Sequence, residues 1–356
     1  MSTAGIKVFS ALSVKDHPTI IDDKHSPDLS NVRIDNPIGA LVNMEGISKY
    51  NSVGFGASIV AIHQLNGHIF SLSGSKLYEG YKLPLSWTTL GGFASPRGIY
   101  YDSASEFIYV VHGGDSGQIT KTKIDGTDRI DYYEASGEGR LRYPQGLHYD
   151  PASEFIYVAD SGNDRIVKTK IDGSDFVSLG TEGIGDGQFY SPSGIYYDPA
   201  TEFIYVGDTL NNRIVKTKID GSGWTIYGSG GIGVGKFIYP SGIYYDPASE
   251  FVYVAQRDYI TKTKIDGTGW TSLGGFSYHT SGIYYDPATE FIYVVDYGDR
   301  IVKTKIDGSG WQTYGSQGSG VGQFRNPYGI YYDSNTKEIY VTDNNDRIVK
   351  TNAGWA

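Results

Sequence analysis

Four aspartates recur at one place in repeated segments of the chain, and an arginine follows each of them by four or five residues. The pairs are Asp160 with Arg165, Asp208 with Arg213, Asp296 with Arg300, and Asp343 with Arg347. The carboxylates could form a ring that binds a cation or a polar ligand, or each could pair with its own arginine and fix a turn. Because the pattern recurs in nearly every repeat, we expect structural pairs.

Two repeats differ at this position. His112 replaces the aspartate in the first intact repeat, and Gln256 replaces it in a shorter repeat, where Arg257 and Asp258 follow directly. A binding site normally requires one repeat to differ from the others. We therefore expect a distinct site, if the chain has one, at His112, Gln256, Arg257 and Asp258.

Other residue types with catalytic potential are not arranged for catalysis. The seven histidines show no helical spacing of a zinc site, and there is neither a cysteine nor a Gly-x-Ser-x-Gly elbow. The glycine-rich run that ends in Lys236 is similar to a phosphate loop, but Phe237 follows where a hydroxyl should hold Mg²⁺. We expect no enzymatic activity, no cofactor and no metal site.

These positions belong to a repeat that spans most of the chain. The sequence Gly-Ile-Tyr-Tyr-Asp, or a close variant, recurs at intervals of 48, 48, 48, 40 and 47 residues, beginning at Gly98, Gly146, Gly194, Gly242, Gly282 and Gly329. A period of about 40–50 residues is typical of one four-stranded propeller blade. The 48 glycines and 31 tyrosines also suit an all-β fold with many tight turns.

One repeat predicts four strands. Gly194–Asp198 is closed by Pro199, which cannot donate to a sheet ladder. Further strands are predicted at 202–206, 213–219 and 224–227, and Asp220-Gly221 supplies a hairpin turn. The inner strands are apolar on both faces, as expected where each blade packs between two neighbours. The tyrosine pairs could pack between blades or form a stacking platform, and the Lys-Thr-Lys elements could be a solvated rim or meet an acidic partner.

The motifs Pro-x-Gly-Ile, Ile-Tyr-Val-x-Asp, Asn-x-Arg-Ile and Gly-x-Gly-Gln-Phe resemble the NHL repeat. The resemblance extends from about residue 90 to 350 and includes Gly185–Phe189 and Gly320–Phe324. It implies a β-propeller of a kind generally used to bind proteins or nucleic acid, with enzymes a minority.

The expected ring has seven blades, with six as the alternative. A degenerate blade is predicted at residues 58–93, because Trp87–Phe93 parallels the end of a later repeat, and six repeats follow it. The last repeat lacks its fourth strand. An N-terminal strand such as Ala40–Met44 could fill that place and seal the ring. The expected domains are therefore a closing or assembly segment at 1–57 and a propeller at 58–356.

The N-terminal segment does not repeat. Ser26–Arg33, Gly39–Val42 and Glu45–Tyr50 together resemble an opening of tailed-phage virion proteins of the tail and head–tail connection, among which tail nozzles include propeller bodies. This resemblance implies a virion component that assembles with itself in a symmetric ring and with neighbouring virion proteins.

Composition limits the partners. A net charge of −10 disfavours specific or sequence-independent binding of nucleic acid, since phosphate contacts need a basic surface. No apolar run is long enough to span a membrane, and no secretory signal peptide is visible. We expect a non-catalytic structural or protein-binding propeller located in a virion. The alternatives are a cytoplasmic propeller that binds a glycan or a protein and, third, an NHL-type lyase or hydrolase.

Overall fold

The computed structural model describes residues 61–65, 68–73, 76–82, 87–134 and 136–352. The chain divides into two units, one of Met1–Ser86 with Gly354–Ala356 and one of Trp87–Ala353. In the first unit the described strands Ala61–Leu65, His68–Ser73 and Lys76–Lys82 form an antiparallel sheet in chain order. The predicted strand at Ala40–Met44 and the phage-like segment lie outside the described residues.

The described residues of the second unit form six four-stranded antiparallel sheets, here called blades 1 to 6. Blade 1 comprises Ile99–Asp102, Phe107–His112, Gln118–Thr122 and Ile130–Tyr132. Blade 2 comprises Pro144–Asp150, Phe155–Asp160, Arg165–Thr169 and Val177–Leu179. Blade 3 comprises Pro192–Asp198, Phe203–Asp208, Arg213–Thr217 and Thr225–Tyr227.

The remaining blades repeat this plan. Blade 4 comprises Pro240–Asp246, Phe251–Gln256, Tyr259–Thr263 and Thr271–Gly274. Blade 5 comprises Thr280–Asp286, Phe291–Asp296, Arg300–Thr304 and Gln312–Tyr314. Blade 6 comprises Ile330–Asp333, Glu338–Asp343, Arg347–Asn352 and Trp87–Gly91. The first strands of successive blades contact one another and surround a central hub.

Short elements connect the blades. Two-residue parallel pairs brace three of the interblade loops, namely Thr181–Glu182 with Gln188–Phe189, Ser229–Gly230 with Lys236–Phe237, and Ser316–Gln317 with Gln323–Phe324. A 3₁₀ turn lies at Ser161–Asn163 in blade 2. No helix among the described residues is long and apolar enough to cross a membrane.

The first hairpin of each blade is fixed by the aspartate that ends the first strand, and in blades 2 to 5 this aspartate begins an Asp-Pro-Ala sequence. In blade 3, Asp198 accepts hydrogen bonds from the Ala200 amide at 3.1 Å and the Thr201 hydroxyl at 2.5 Å. Pro199 cannot extend the ladder, and Glu202 takes a left-handed conformation with φ of 63° that turns the chain into the next strand.

The core lies between the blades. The second tyrosine of each pair stacks on a tyrosine of a neighbouring blade, as Tyr197 does on Tyr157 with ring centroids 4.1 Å apart. Phe189, Phe237 and Phe324 at the ends of interblade loops are fully buried. These contacts exclude water from both faces of the inner strands, which explains why those strands are apolar on both sides.

The described residues form six blades and not the expected seven. Trp87–Gly91, expected to end a degenerate blade at 58–93, instead pairs antiparallel with Arg347–Asn352 and supplies the fourth strand of blade 6. The strands upstream of it belong to the other unit. The last repeat and the segment at 87–91 therefore together make one blade, because each holds the part that the other lacks.

This shared blade gives a test of how the ring is held together. Leu90 lies opposite Ile348 and packs against the cluster that contains Phe93 and Ile99. We expect Leu90→Asp to lower the free energy of unfolding by about 2 kcal/mol, because it removes apolar burial and places a charge there. Thr88→Asp, at an exposed position of the same strand, is the control. Equal urea midpoints for the two variants would contradict the pairing.

Candidate functional site

The four aspartate–arginine pairs form ion pairs at the end of each second strand. The nitrogen–oxygen distances are 2.8 Å for Asp160–Arg165, 2.6 Å for Asp208–Arg213, 3.0 Å for Asp296–Arg300 and 2.7 Å for Asp343–Arg347. The four carboxylates are fully buried, and burial raises the pKa of Asp160 and of Asp208.

Each pair also holds the loop that enters its blade. Asp208 accepts the Tyr190 amide at 2.7 Å, and Arg213 donates to the Gln188 carbonyl at 2.8 Å. Asp160 accepts the Arg142 amide at the same distance, 2.7 Å. Because these carboxylates already accept bonds from a guanidinium and an amide, they fasten interblade loops and are not available as an open ring for a cation.

Gln256 replaces the aspartate in blade 4 without opening a site. Its Oε1 accepts the Ile238 amide at 2.7 Å, as the aspartates do, and its Nε2 donates to the buried hydroxyl of Thr261 at 2.7 Å. Arg257 and Asp258 form a loose surface pair, 3.8 Å apart, in the following turn. Gln256 is therefore bonded to its own blade and to the loop that enters it.

His112 is the corresponding residue of blade 1. Its Nε2 lies 2.7 Å from the Thr120 hydroxyl, which donates to Asp131 at 2.5 Å. Its Nδ1 is buried without a hydrogen-bond partner in the described part of the chain. Burial, and then the charge of Arg129, lower the pKa of His112 to about 4, so the imidazole is neutral and enclosed. The structure thus does not bring the four expected binding residues together into one open site.

A closed ring of six aromatic side chains occupies the hub. The first tyrosine of each pair points into it, and histidine takes that place in blade 2, so that the members, here called the hub ring, are Tyr100, His148, Tyr196, Tyr244, Tyr284 and Tyr331. Neighbouring ring centroids are 4.7–5.3 Å apart all the way round. The ring lines a cavity of about 280 Å³.

Burial governs the ionisation of the hub ring. Burial raises the pKa of Tyr100 to about 12 and lowers the pKa of His148 to about 4. At neutral pH the hub ring is therefore uncharged.

One end of the hub is closed by a single side chain. Tyr328 crosses from blade 6, and its hydroxyl lies 3.0 Å from that of Ser193 in blade 3. The guanidinium of Arg97 stacks over the Tyr328 ring at 4.6 Å from the centroid. Tyr328 thus lies across one end of the cavity that it lines.

A second notable surface is formed by the interblade loops. Their tips expose large apolar side chains that have 72–90% of their area accessible, and these residues, here called the loop face, are Ile184, Ile232, Val234, Tyr278 and Val321. Each stands in the loop that leads into the next blade, so the repeat places them on the same side of the ring. Apolar side chains this exposed are unfavourable in water and often mark binding surfaces.

The lysines of the third strands are already engaged. In blade 3, Lys216 lies over the Phe203 ring at 4.2 Å and Lys218 pairs with Glu202 at 2.9 Å. The same arrangement recurs in blades 4 and 5. These internal contacts favour the solvated rim over a surface built for an acidic partner.

Sequence reasoning missed His148 and Tyr328. The signal for His148 was available, because Gly146-Leu147-His148-Tyr149-Asp150 aligns with Gly-Ile-Tyr-Tyr-Asp and puts histidine at the first tyrosine. Tyr328 stands where blades 3, 4 and 5 have serine. No group of histidine and acidic residues in the described blades is arranged to hold a metal ion.

The fold places the chain among the β-propeller proteins. Comparison with solved structures finds similarity to a nidogen/laminin complex. The TM-score is 0.53, the sequence identity is 17%, and the match covers 74% of this chain and 94% of that one. It also finds two proteins of Bacteroides thetaiotaomicron VPI-5482. One is a structural genomics protein of unknown function, with a TM-score of 0.55, 15% sequence identity, and a match that covers 82% of this chain and 83% of that one. The other is an auxiliary nutrient binding protein, with a TM-score of 0.54, 13% sequence identity, and a match that covers 80% of this chain and 83% of that one.

At these identities the likeness concerns the fold alone. No protein-family model matches the chain, and no curated protein matches it. The resemblances to the NHL repeat and to phage virion proteins therefore stay predictions.

Proposed function

We propose that this chain is a non-catalytic propeller that binds a protein partner on the loop face. The observation that supports this proposal is the exposure of Ile184, Ile232, Val234 and Val321 at the tips of glycine-rich loops. Braced loops of this kind present apolar side chains at little further entropic cost, which favours binding of a folded surface.

The chemistry of the chain favours a protein over other ligands. A net charge of −10 opposes binding to nucleic acid and to anionic lipid surfaces. The side chains with catalytic potential are enclosed or paired: His112 is buried and neutral, and Asp208 is bonded to Arg213. A glycan remains the alternative ligand, because tyrosines such as Tyr278 are exposed on the same face.

A virion component is the second candidate, and it rests on the sequence of residues 26–50. Sedimentation of lysate from the source culture separates the two. A virion part should co-sediment with DNA-containing particles, whereas a free binding propeller stays in the soluble fraction.

Site-specific photo-crosslinking tests the loop face. A benzophenone amino acid at position 232 should give one dominant crosslinked product in the source cells, and the same group at position 226, on an outer strand of blade 3, should not. The triple variant Ile184→Ser, Val234→Ser and Val321→Ser should reduce that product at least about tenfold, since each lost apolar contact costs about 1 kcal/mol or more. Equal crosslinking from positions 232 and 226 would refute the proposal.

A further inference from the structure

We propose that His112 is part of an acid-sensitive latch that holds the propeller ring closed between blades 6 and 1. When the imidazole takes up a proton, the loop that joins these two blades is released before the other blades unfold. The inference concerns the ring itself and does not depend on the proposed function.

One short loop connects the strand that completes blade 6 to blade 1. Residues 92–95, here called the closing loop, lead from Trp87–Gly91 to the first strand of blade 1. Phe93 of this loop is buried in the cluster between blades 6 and 1. The Phe93 amide donates to the Asp346 carbonyl at 3.3 Å, and the Ser95 amide donates to the Asp346 carboxylate at 3.0 Å. The closing loop is therefore bound to blade 6 through its backbone and packed between the two blades through its side chain.

Blade 1 holds the closing loop with His112 and Arg129. The rings of Phe93 and His112 form a T-shaped pair, with centroids 5.4 Å apart and planes inclined by 88°. The guanidinium of Arg129 lies over the Phe93 ring at 4.9 Å from the centroid, and its Nη2 donates to the Gly92 carbonyl at 3.1 Å. The corresponding residue of the other blades is aspartate or glutamine. Among the described blades, an imidazole therefore contacts the entering loop at this position in blade 1 alone.

The hydrogen bonds of His112 select one neutral form of the imidazole. The Thr120 hydroxyl donates its single hydrogen to Asp131, so the Nε2 of His112, 2.7 Å from the same oxygen, must itself donate. Nδ1 then carries no hydrogen, and it is buried without a hydrogen-bond partner among the described residues. A proton can enter only at Nδ1, where it would create a buried, charged N–H group that no described residue accepts. Such a group is strongly unfavourable, so protonation favours movement of the ring away from the closing loop.

The charged groups around His112 do not compensate for its burial. Asp131 favours the protonated imidazole, but it is paired with Arg129 at 3.0 Å, and Arg129 opposes protonation. In the turn that follows His112, Asp115 is paired with Arg142 at 3.0 Å. Burial, and then the charge of Arg129, lower the pKa of His112 to about 4. The enclosed imidazole therefore stays neutral until the solution is distinctly acidic.

Acid weakens this contact because the released imidazole binds a proton more tightly than the enclosed one. The pKa of His112 is about 4 in the folded protein and 6.5 in the absence of burial. The destabilisation is therefore absent above pH 6.5, grows as the pH falls and levels off near pH 4. At the acid limit these two pKa values shift the equilibrium between closed and released forms about 10²-fold. The contacts that are lost belong to the closing loop, so the opening begins between blades 6 and 1.

Amide hydrogen exchange of the full chain at about pH 7 and about pH 5 locates the opening, once the rates are corrected for the intrinsic effect of pH. Residues 87–95 are compared with residues 225–237, the outer strand of blade 3 and the loop that follows it. We expect protection of 87–95 to fall at least about tenfold at the lower pH, and that of 225–237 to change less than about twofold. Equal losses in both segments, or no loss in either, would overturn the proposal.

His112→Gln removes the titrating group and keeps its hydrogen bond. Blade 4 shows that glutamine fits this position, because the Nε2 of Gln256 donates to Thr261, which occupies the place of Thr120. We expect the variant to keep the protection of residues 87–95 at about pH 5 within about twofold of its value at about pH 7.

The variant also separates His112 from other buried histidines. Burial lowers the pKa of His148 and of His279 as well, but both residues are present in the parent and in the variant. If residues 87–95 lose as much protection in the variant as in the parent, the assignment to His112 is wrong. The exchange of the parent at two pH values tests the closing loop by itself, so the outcome does not depend on the stability of the variant.

Discussion

Replacing Gly194 by alanine is expected to lower the free energy of unfolding by about 3 kcal/mol or more, the upper range for overpacking in a core. A Cβ at this position would lie 2.0 Å from the Ser241 carbonyl oxygen and 2.7 Å from the Ile243 amide nitrogen of the next blade. Both are backbone atoms, so no side chain can move to relieve the clash. The first strands of blades 3 and 4 would have to separate.

Urea denaturation of Gly194→Ala beside Gly91→Ala measures this effect. A Cβ at Gly91 meets nothing within 4 Å, and its backbone does not take a left-handed conformation. The control variant should therefore unfold within about 0.5 kcal/mol of the parent, as surface substitutions usually do. If the two variants unfold alike, the close approach of first strands at the hub is wrong.

The same close approach explains why every repeat begins with glycine. Added Cβ atoms would come within 2.0–2.5 Å of the neighbouring blade at Gly98, Gly146, Gly194, Gly242, Gly282 and Gly329. The period of the sequence predicted blades, but it did not show that six first strands converge so closely. That requirement depends on how strands meet across the hub, and it becomes visible only when the blades are placed side by side.

The number and order of the strands in a blade were predictable from one repeat, whereas the residues at which the strands begin and end were predicted less accurately. The predicted strand at 202–206 is Phe203–Asp208, and the one at 213–219 is Arg213–Thr217. Asp208 continues the second strand because its carboxylate is neutralised by Arg213, although aspartate alone disfavours strands. The fourth strand of the last blade was misassigned because Trp87–Gly91 lies more than 250 residues from Arg347–Asn352, to which it pairs.

The hub was only partly predictable. Alternation along a strand places one tyrosine of each pair in the hub and the other between blades, so the interblade packing expected for the pairs is found for the second tyrosine. The crossing of Tyr328 to Ser193 does not follow from that periodicity. It depends on which residue types face each other across the ring.

Blade 3 has Asp208 and blade 4 has Gln256 at the same buried position, the end of the second strand. Replacing the residues of blade 3 by those of blade 4 tests how the polar groups at this position are held. Asp208→Gln alone should destabilise the protein by about 3 kcal/mol, because Arg213 loses its carboxylate in a buried place. Blade 4 has Gln256 there, with tyrosine in place of the arginine and Thr261 in place of Val215. The loop that enters blade 4, between Tyr227 and Pro240, is as long as the loop that enters blade 3, between Leu179 and Pro192. Glutamine at this position is therefore compatible with a full loop.

The triple variant Asp208→Gln, Arg213→Tyr and Val215→Thr should therefore recover most of the loss and unfold within about 1 kcal/mol of the parent, near the non-additivity expected for neighbouring sites. The double variant that keeps Val215 should remain about 1–3 kcal/mol less stable, since the buried amide of the glutamine then lacks the hydroxyl that Thr261 provides in blade 4. Chemical denaturation of the three variants distinguishes these outcomes.

A triple variant no more stable than Asp208→Gln would show that the three residues do not act as one set. Recovery would show that the difference at Gln256 arises from packing within a blade and not from a binding site there.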